Sequence, residues 1–295
     1  MLFDTNNITI NELKDPLLTH KKVKLMVLRL DKIHPIVSGN KLFKLHYFLE
    51  QAIKIPNKSI VTFGGAYSNH LVATAYACKR LQLQCKGIVR GERPPVLSHT
   101  LKACLQYGME LEFVTRELYS SMSQKSESDN EKIIIPEGGY HPIGAKGASL
   151  IMDFLQLEKV SHICTAVGTA TTLAGLLLKA NNDQRIIAVP VLKGFFDIPE
   201  RLEHLTGKID FPNLTILDEY HFGGYAKKSN DLLFLMNQLY EKFELPTDFV
   251  YTGKMMFGIW DQIKKDFFPE GSIIACIHTG GLQGNDSLPA GSLIF

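Results

Sequence analysis

Lys41 is the residue with the clearest capacity for chemistry, in the segment Ser38-Gly39-Asn40-Lys41-Leu42-Phe43-Lys44-Leu45. The segment follows a predicted strand over Lys22–Leu30 and precedes a predicted helix over Lys44–Ile53, so a Gly-Asn turn would hold the amine at a helix start. Burial disfavours the ammonium form, and a buried lysine can therefore be a nucleophile near neutral pH. Taken alone, the pattern also fits a surface lysine after a turn.

A second group of polar residues ends the segment Phe63-Gly64-Gly65-Ala66-Tyr67-Ser68-Asn69-His70, which leads from a strand into a helix. Free backbone N–H groups at a helix start favour an anion such as a substrate carboxylate. Ser68, Asn69 and His70 would add a hydroxyl, an amide and an imidazole at the same point. Helix capping by Ser68 or Asn69 explains the same residues without any ligand.

A third strand-to-helix turn is rich in hydroxyl groups: Ala166-Val167-Gly168-Thr169-Ala170-Thr171-Thr172-Leu173-Ala174-Gly175. It has neither the Gly-Lys-Ser/Thr of a P-loop nor the G-x-G-x-x-G of a dinucleotide fold. Several N–H and O–H donors at a helix start suit a single phosphate. A capped helix without a ligand is the alternative.

Two further strand ends carry phenol or hydroxyl groups, in Tyr251-Thr252-Gly253-Lys254 and His278-Thr279-Gly280-Gly281. No histidine or cysteine has a metal-ligand spacing such as H-E-x-x-H or C-x-x-C, so the sequence predicts no metal site. A dedicated lysine, one phosphate site and one carboxylate site fit pyridoxal phosphate, which needs an amine, a phosphate anchor and a partner for its ring nitrogen.

The elements that must position these residues alternate between short β-branched runs and longer amphipathic runs. The pattern predicts strands over Ser59–Phe63, Gln84–Val89, Glu110–Thr115, Lys132–Ile135, His162–Val167, Arg185–Val191, Leu214–Leu217 and Ser272–Ile277. It predicts helices over Asn69–Leu81, Leu97–Tyr107, Ala145–Leu157, Thr172–Ala180, Pro199–Leu205, Asp231–Phe243 and Lys254–Phe267. Such alternation indicates an α/β fold with parallel strands and helices on both faces. Ser120–Glu131 is polar and is expected to be a mobile loop or a solvated helix face.

Glycines follow four of the predicted strands, at Gly64-Gly65, Gly138-Gly139, Gly168 and Gly280-Gly281. Ligands of open α/β sheets bind at the carboxyl ends of strands, so these turns are expected to share one cleft.

The composition limits the classes of function. With 295 residues the chain can form two cores, and a net charge of +2 gives no sign of a nucleic-acid or membrane partner. The five cysteines have no paired spacing and are expected to be buried free thiols in a reducing compartment. No signal peptide or membrane span is evident, so a cytoplasmic protein is expected.

Taken together, the segments resemble the fold-type II pyridoxal-phosphate enzymes (the tryptophan synthase beta-like fold). Within these they resemble the 1-aminocyclopropane-1-carboxylate deaminase / D-cysteine desulfhydrase family. The resemblance covers nearly the whole chain and implies a two-domain, open, twisted parallel-sheet fold. It implies a discontinuous large domain (1–44 and 156–295) that binds the cofactor, a small α/β domain (45–155) and a homodimer.

The resemblance also implies roles for individual residues. Lys41 would form the Schiff base with the cofactor and move the Cα proton, and Asn69 would contact the ring oxygen of the cofactor. Ser68, Asn69 and His70 would bind the substrate carboxylate, while Ser68, Tyr225 and Tyr251 would act on the substrate. The remaining cofactor contacts are assigned to Lys44, Gly168, Thr169, Ala170, Thr171, Thr172, Thr252 and Thr279.

Two positions separate the activities in this family. The cyclopropane deaminases carry Glu where this chain has Thr252 and Leu where it has Thr279, and a carboxylate would keep the ring nitrogen protonated. Hydroxyl groups favour a weaker electron sink, and hence β-elimination from D-cysteine to pyruvate, ammonia and sulfide. The alternatives are cyclopropane ring opening to 2-oxobutanoate and ammonia, or a relative that binds without turnover. Tyr140-His141, Ala170 and a shorter chain depart from the family pattern.

Overall fold

The strands of the described residues form two sheets, the larger of which has six strands. The computed structural model describes residues 2–34, 37, 39–125, 127–155 and 159–295. In chain order the strands of this sheet are β1 (Thr9–Leu13), β2 (Lys24–Arg29), β7 (His162–Val167), β8 (Arg185–Pro190), β9 (Leu214–Ile216) and β10 (Ile273–His278). Their spatial order is β1-β2-β10-β7-β8-β9, and all neighbours are parallel except β1, which is antiparallel to β2.

The smaller sheet has four parallel strands, all from the middle of the chain. These strands are β3 (Ser59–Gly64), β4 (Gln84–Arg90), β5 (Glu110–Val114) and β6 (Lys132–Ile135), in the spatial order β5-β4-β3-β6. The first sheet therefore contains chain from both sides of the second one.

Ten α-helices connect and cover the strands in the part of the chain that the structure describes. They are α1 (Pro16–His20), α2 (Asn40–Ala52), α3 (Asn69–Leu81), α4 (His99–Gln106), α5 (Arg116–Lys125), α6 (Pro142–Ser149), α7 (Thr171–Lys179), α8 (Ile198–Thr206), α9 (Asn230–Phe243) and α10 (Thr252–Lys264). Serines begin several of them: the side chains of Ser68, Ser98 and Ser229 accept hydrogen bonds from the first turns of α3, α4 and α9.

The cores lie on both faces of the larger sheet and around the smaller one. The strand β10 reads Ile-Ile-Ala-Cys-Ile-His and is almost wholly buried, as expected for a parallel strand covered on both faces. All five cysteines are buried and free, as predicted.

The structure confirms the predicted α/β class and the predicted strands and helices, most of whose ends shift by one to four residues. The strand β1 and the helix α1 were not predicted, and α5 occupies part of the expected polar loop, with only Tyr119 buried. The helix predicted over Ala145–Leu157 begins earlier, at Pro142, and gives way to a 3₁₀ turn over Leu150–Phe154, while Leu157 lies outside the described residues. The domain boundaries stay a prediction; residue 156 is outside the described part, and residues 44 and 45 both lie within α2. No helix among the described residues is long and apolar enough to cross a bilayer.

Candidate active site

The carboxyl ends of neighbouring strands from both sheets face one cavity of about 730 Å³. In the larger sheet β2, β10 and β7 are adjacent, and in the smaller sheet β4, β3 and β6 are adjacent. The cavity brings together twelve of the residues assigned from the sequence: Lys41, Lys44, Ser68, Asn69, His70, Gly168, Thr169, Ala170, Thr172, Tyr225, Tyr251 and Thr279. Its volume lies in the range usual for small-molecule sites.

Lys41 occupies the first turn of α2, and its amine donates a hydrogen bond to Asn40 Oδ1 at 2.8 Å. The turn before it is fixed against β10, because Asn40 N donates to the Thr279 carbonyl at 3.2 Å. Gly39 has a φ of +84°, and a Cβ there would lie 1.8 Å from the Thr279 oxygen, so only glycine fits. Burial lowers the pKa of Lys41 to about 8, although the Asp248 carboxylate acts in the opposite direction. The preceding Ser38 lies outside the described residues.

The start of α7 has no side-chain cap. Ala170, just before the helix, adopts the left-handed conformation with a φ of +64°. The Thr172 hydroxyl accepts a hydrogen bond from Asn40 Nδ2 at 2.7 Å. Thr171 does not line the cavity, and its hydroxyl lies 2.9 Å from that of Thr169. The backbone donors of this turn are therefore not used by a capping side chain.

Lys44 lies one helical turn after Lys41 and is buried. Burial, together with the nearby charge of Lys41, holds the pKa of Lys44 well below its ordinary value. Among the described residues the Lys44 ammonium has no hydrogen bond or ion pair. A buried cation without a counter-charge is costly, so this position is suited to an anion.

The start of α3 is capped by Ser68, whose Oγ accepts from Leu71 N at 3.3 Å. No hydrogen-bond partner is described for the backbone N–H groups of Asn69 and His70. Asn69 Oδ1 accepts from Gln283 Nε2, so the Asn69 amide nitrogen remains a donor toward the cavity.

The ring of His70 has a defined tautomer. Thr62 Oγ1 donates to the Ile135 carbonyl at 2.8 Å, so its only proton is used, and His70 Nε2 at 2.8 Å must be the donor to Thr62. Nδ1 is left unprotonated, buried and without a partner among the described residues. Burial lowers the pKa of His70 to about 3, with Lys41 and Lys44 adding to the effect. The ring can therefore accept a hydrogen bond through Nδ1 but cannot donate one there.

Two neighbouring tyrosines, Tyr225 and Tyr251, form part of the cavity wall. The rings of Tyr225 and Tyr251 meet edge to face, with centroids 6.1 Å apart. Burial raises the pKa of each phenol, that of Tyr251 well above its ordinary value, so both are protonated at neutral pH. Lys254 fixes the loop before Tyr225, since its ammonium donates to the carbonyls of His221 at 2.9 Å and Gly224 at 2.7 Å.

Thr252 and Thr279 differ in what their hydroxyls can reach. Thr252 is fully buried and does not line the cavity. Its Oγ1 donates to Asp248 Oδ1 at 2.6 Å and accepts from Asp248 N at 2.8 Å. Thr279 lines the cavity at the end of β10.

The sequence reasoning missed four charged residues at the site: Arg90, Glu137 and Arg201, which line the cavity, and the buried Asp248. Arg90 is the last residue of β4, and Glu137 follows β6 directly before Gly138-Gly139; both line the cavity. The rule that strand ends carry ligand contacts could have indicated both. Asp248 is buried and accepts from the backbone of Val250, Tyr251 and Thr252, which only the folded turn reveals.

The residues present fit pyridoxal phosphate. One end of the cavity has an uncapped helix start and a buried lysine, Lys44, for which no partner is described. Gly138-Gly139 lies between them, since a Cβ on Gly139 would be 3.2 Å from Lys44 Cβ and one on Gly138 would be 2.8 Å from Thr169 Cγ2. This end is complementary to a phosphate. Lys41 supplies an amine that is partly unprotonated at neutral pH, and Asn69 and Thr279 present polar groups from the two sides. The described residues contain no cluster of histidine, cysteine or carboxylate side chains able to hold a metal ion.

Comparison with known proteins agrees with this chemistry. The family model for pyridoxal-phosphate dependent enzymes matches residues 8–280. A Thermotoga maritima protein, provisionally named a 1-aminocyclopropane-1-carboxylate deaminase, is 31% identical over 287 residues, 88% of this chain and 89% of its own. The Arabidopsis thaliana bifunctional D-cysteine desulfhydrase/1-aminocyclopropane-1-carboxylate deaminase is 28% identical, covering 84% of this chain and 70% of its own. The Klebsiella pneumoniae D-cysteine desulfhydrase is 25% identical, with 89% and 88% covered.

Solved structures show the same relationship. A 1-aminocyclopropane-1-carboxylate deaminase homologue superposes with a TM-score of 0.78 at 25% identity, covering 97% of this chain and 92% of its own. A pyridoxal 5'-phosphate-dependent aspartate racemase shares the fold, with a TM-score of 0.69 at 14% identity, covering 98% and 93%. With its fold-type II architecture and its match over most of its length, this chain belongs to the pyridoxal-phosphate dependent enzymes, and among them to the 1-aminocyclopropane-1-carboxylate deaminase / D-cysteine desulfhydrase family.

Proposed function

We propose that this enzyme is a D-cysteine desulfhydrase-like lyase. It converts D-cysteine and water to pyruvate, ammonia and hydrogen sulfide. The observation that carries the proposal is the hydroxyl of Thr279 at the cavity wall, with no carboxylate at the neighbouring position Thr252. A hydroxyl need not protonate the cofactor's ring nitrogen, and the resulting weaker electron sink suits the loss of a good leaving group such as thiolate.

The cofactor would be held at three points. Lys41 would carry it covalently, Lys44 and the turn Gly168–Thr172 would bind its phosphate, and Asn69 and Thr279 would contact the ring. When bound, pyridoxal phosphate stabilises negative charge at the substrate Cα. Thr252 and Thr171 do not line the cavity and would act indirectly. Thr252 would orient Asp248, and Thr171 would orient the hydroxyl of Thr169.

The substrate carboxylate would bind at the start of α3. The N–H groups of Asn69 and His70 have no described partner, and the positive end of the helix dipole lies there. Ser68 Oγ accepts from Leu71 N and can still donate its own proton to the carboxylate. His70 would contribute through its backbone, since its ring Nδ1 carries no proton.

Lys41 would remove the Cα proton. With a pKa of about 8, its amine is unprotonated in a useful fraction of molecules at neutral pH, and Asn40 Oδ1 orients it at 2.8 Å. Tyr225 and Tyr251 are protonated and so would act as donors toward the departing sulfur.

Cyclopropane ring opening is the second candidate, because Ser68 and Tyr251, which the family resemblance places at the substrate, both line the cavity and would assist this reaction. A relative that binds without turnover is the third. The intact set of Lys41, Ser68, Asn69 and Tyr251 speaks against it.

Product analysis separates these candidates. The purified enzyme, loaded with cofactor, is given D-cysteine, L-cysteine or 1-aminocyclopropane-1-carboxylate, and sulfide, pyruvate and 2-oxobutanoate are measured. We expect sulfide and pyruvate from D-cysteine, and loss of both in Lys41→Ala. Turnover of the cyclopropane substrate alone would refute the proposal in favour of the deaminase.

We further propose the lobes 1–44 with 156–295 and 45–155, a homodimer and a cytoplasmic location. The two separate sheets support the division into lobes. Analytical ultracentrifugation of the loaded enzyme tests the homodimer, and a monomer at micromolar concentration would exclude it.

A further inference from the structure

Three residues outside the proposed catalytic set contact one another and are here called the Arg90 cluster: Arg90 and Glu137, which line the cavity, and Tyr119, which contacts both. Arg90 ends β4 and Glu137 follows β6, and these strands flank β3. The two charged residues therefore stand on either side of the turn that leads from β3 into α3.

The guanidinium of Arg90 is held in place but is not hydrogen-bonded. It lies over the ring of Tyr119, with Cζ 5.4 Å from the centroid. Glu137 Oε2 accepts from Tyr119 Oη at 2.7 Å and forms a loose ion pair with Arg90, since 4.0 Å to Nη1 is beyond hydrogen-bond reach. Within the described part of the chain none of the five N–H donors of Arg90 has a hydrogen-bond partner, and its side chain is 48% exposed, so these donors are open to the cavity.

The position of Arg90 is next to the proposed substrate. Nη2 lies 3.6 Å from where a Cβ on Gly65 would be, directly beside the α3 turn. The pKa of Tyr225 is raised mainly by burial, and Glu137 raises it further while Arg90 lowers it, so both charges act at that phenol. Arg90 is thus close both to the start of α3, where the substrate carboxylate would bind, and to Tyr225.

The start of α3 already offers two N–H groups and the Ser68 hydroxyl to one carboxylate. The donors of Arg90 are therefore available for a second anion. We propose that Arg90 binds negative charge on the side chain of the substrate, at its β-substituent. This rests on the proposed function for the placement of the substrate carboxylate. The charge is either permanent or develops on sulfur as it leaves.

Aspartate and its neutral isostere asparagine test a permanent charge, because neither carries a good leaving group at Cβ. Binding of both enantiomers of each is measured at low salt, through the visible absorbance of the cofactor-loaded enzyme. We expect one hand of aspartate to bind at least about tenfold more tightly than the matching asparagine, as for a charge-assisted hydrogen bond at a half-exposed site. Arg90→Gln should abolish this ratio and Arg90→Lys should restore most of it. Arg93→Gln is the matched control, since Arg93 is exposed, lies over the Phe113 ring at 5.7 Å and does not line the cavity.

Turnover tests the developing charge. Arg90→Gln should lower kcat for D-cysteine at least about tenfold more than for β-chloro-D-alanine, because chloride needs no help in leaving. The proposal is supported if Arg90→Gln abolishes the tighter binding of aspartate or slows D-cysteine more than β-chloro-D-alanine. The first result identifies a permanent charge and the second a developing one. If Arg90→Gln weakens aspartate and asparagine equally and slows both substrates equally, the arginine serves the α-carboxylate or the fold, and the proposal is overturned. Absence of any sulfide release would refute the proposed function but leave the aspartate experiment decisive.

Discussion

The starts of α3 and α7 both face the cavity, but they differ in how their free N–H groups are satisfied. At α3 the Ser68 side chain caps the helix. At α7 no side chain does so, and the residue before the helix, Ala170, adopts a left-handed conformation. At the uncapped end lies the buried Lys44, which has no anionic partner among the residues that the structure describes, whereas the Arg90 guanidinium at the capped end has Glu137 4.0 Å away.

The difference indicates which helix start needs a permanently bound anion. A helix start that caps itself is stable while the substrate comes and goes. An uncapped start beside an unpaired buried charge is complete only with an anion in place, as a cofactor phosphate would be. Substitutions at the two ends, and at Lys41 in the same cavity, test this contrast.

The largest effect is expected for Lys44→Met. A hydrogen bond to a buried charged group contributes about 1.5–3 kcal/mol, so the dissociation constant of pyridoxal phosphate should rise about 100-fold. Absorbance titration of the cofactor-free protein measures it. Lys146→Met, on the exposed face of α6, is the control for the loss of one positive charge. Equal dissociation constants for the two variants would contradict the assignment of Lys44 to the phosphate.

The second prediction concerns the pH dependence of Lys41, with its pKa of about 8 against an ordinary 10.5. The rate at which the cofactor-free protein reacts with pyridoxal phosphate should rise about tenfold per pH unit below 8 and level off above it. Stopped-flow absorbance between about pH 6 and about pH 9.5 measures this rate, with free lysine as the reference. A rate still rising steeply at the upper limit would mean that burial does not depress the pKa.

The lowered pKa of Lys41 also makes the free energy of unfolding depend on pH. Between pH 8 and 10.5 the unfolded chain binds more protons at Lys41 than the folded one. The contribution of Lys41 to the free energy of unfolding of the cofactor-free protein therefore becomes more favourable as pH rises through this interval. Lys41→Met should stabilise the cofactor-free protein most below pH 8, and denaturant titrations at several pH values show whether the gain shrinks toward pH 10.5.

A smaller effect is expected at the capped helix. Ser68→Ala should lower the free energy of unfolding by about 1 kcal/mol through loss of the cap. Ser229→Ala removes the equivalent cap of α9 at a residue that does not line the cavity, where Oγ accepts from Leu232 N at 3.2 Å. Both variants should lose stability in denaturant titrations, but only Ser68→Ala should raise KM. An unchanged KM would remove Ser68 from the substrate site.

The smallest effect is expected for Ala170→Gly. The left-handed conformation costs alanine about 1 kcal/mol, but glycine loses a buried methyl group worth about 0.8 kcal/mol and more backbone entropy. These contributions oppose one another, so the free energy of unfolding should change by no more than about 0.5 kcal/mol. A loss of several kcal/mol would show that the Ala170 methyl group is essential to the turn.

Local patterns predicted most of the elements. The helix α3 begins and ends as predicted, because Ser68 caps it and apolar residues repeat along one face. The helix α5 was expected only as a loop or a solvated face, since it is so exposed that almost none of its residues had to be apolar. The strand β1 escaped prediction because it pairs at a sheet edge, where an alternating pattern is not required.

The sequence alone determined which residue types follow which strands. This was enough to predict the cofactor lysine, an anion site at the starts of α3 and α7, and the family. Only the tertiary structure decided which hydroxyls and charges meet. It placed β10 between β2 and β7, turned Thr252 toward Asp248 and left Thr279 in the cavity. It fixed the His70 tautomer through Thr62 and the Ile135 carbonyl, two residues distant from each other in the chain. Such contacts depend on sheet order and side-chain packing, which local sequence patterns do not encode.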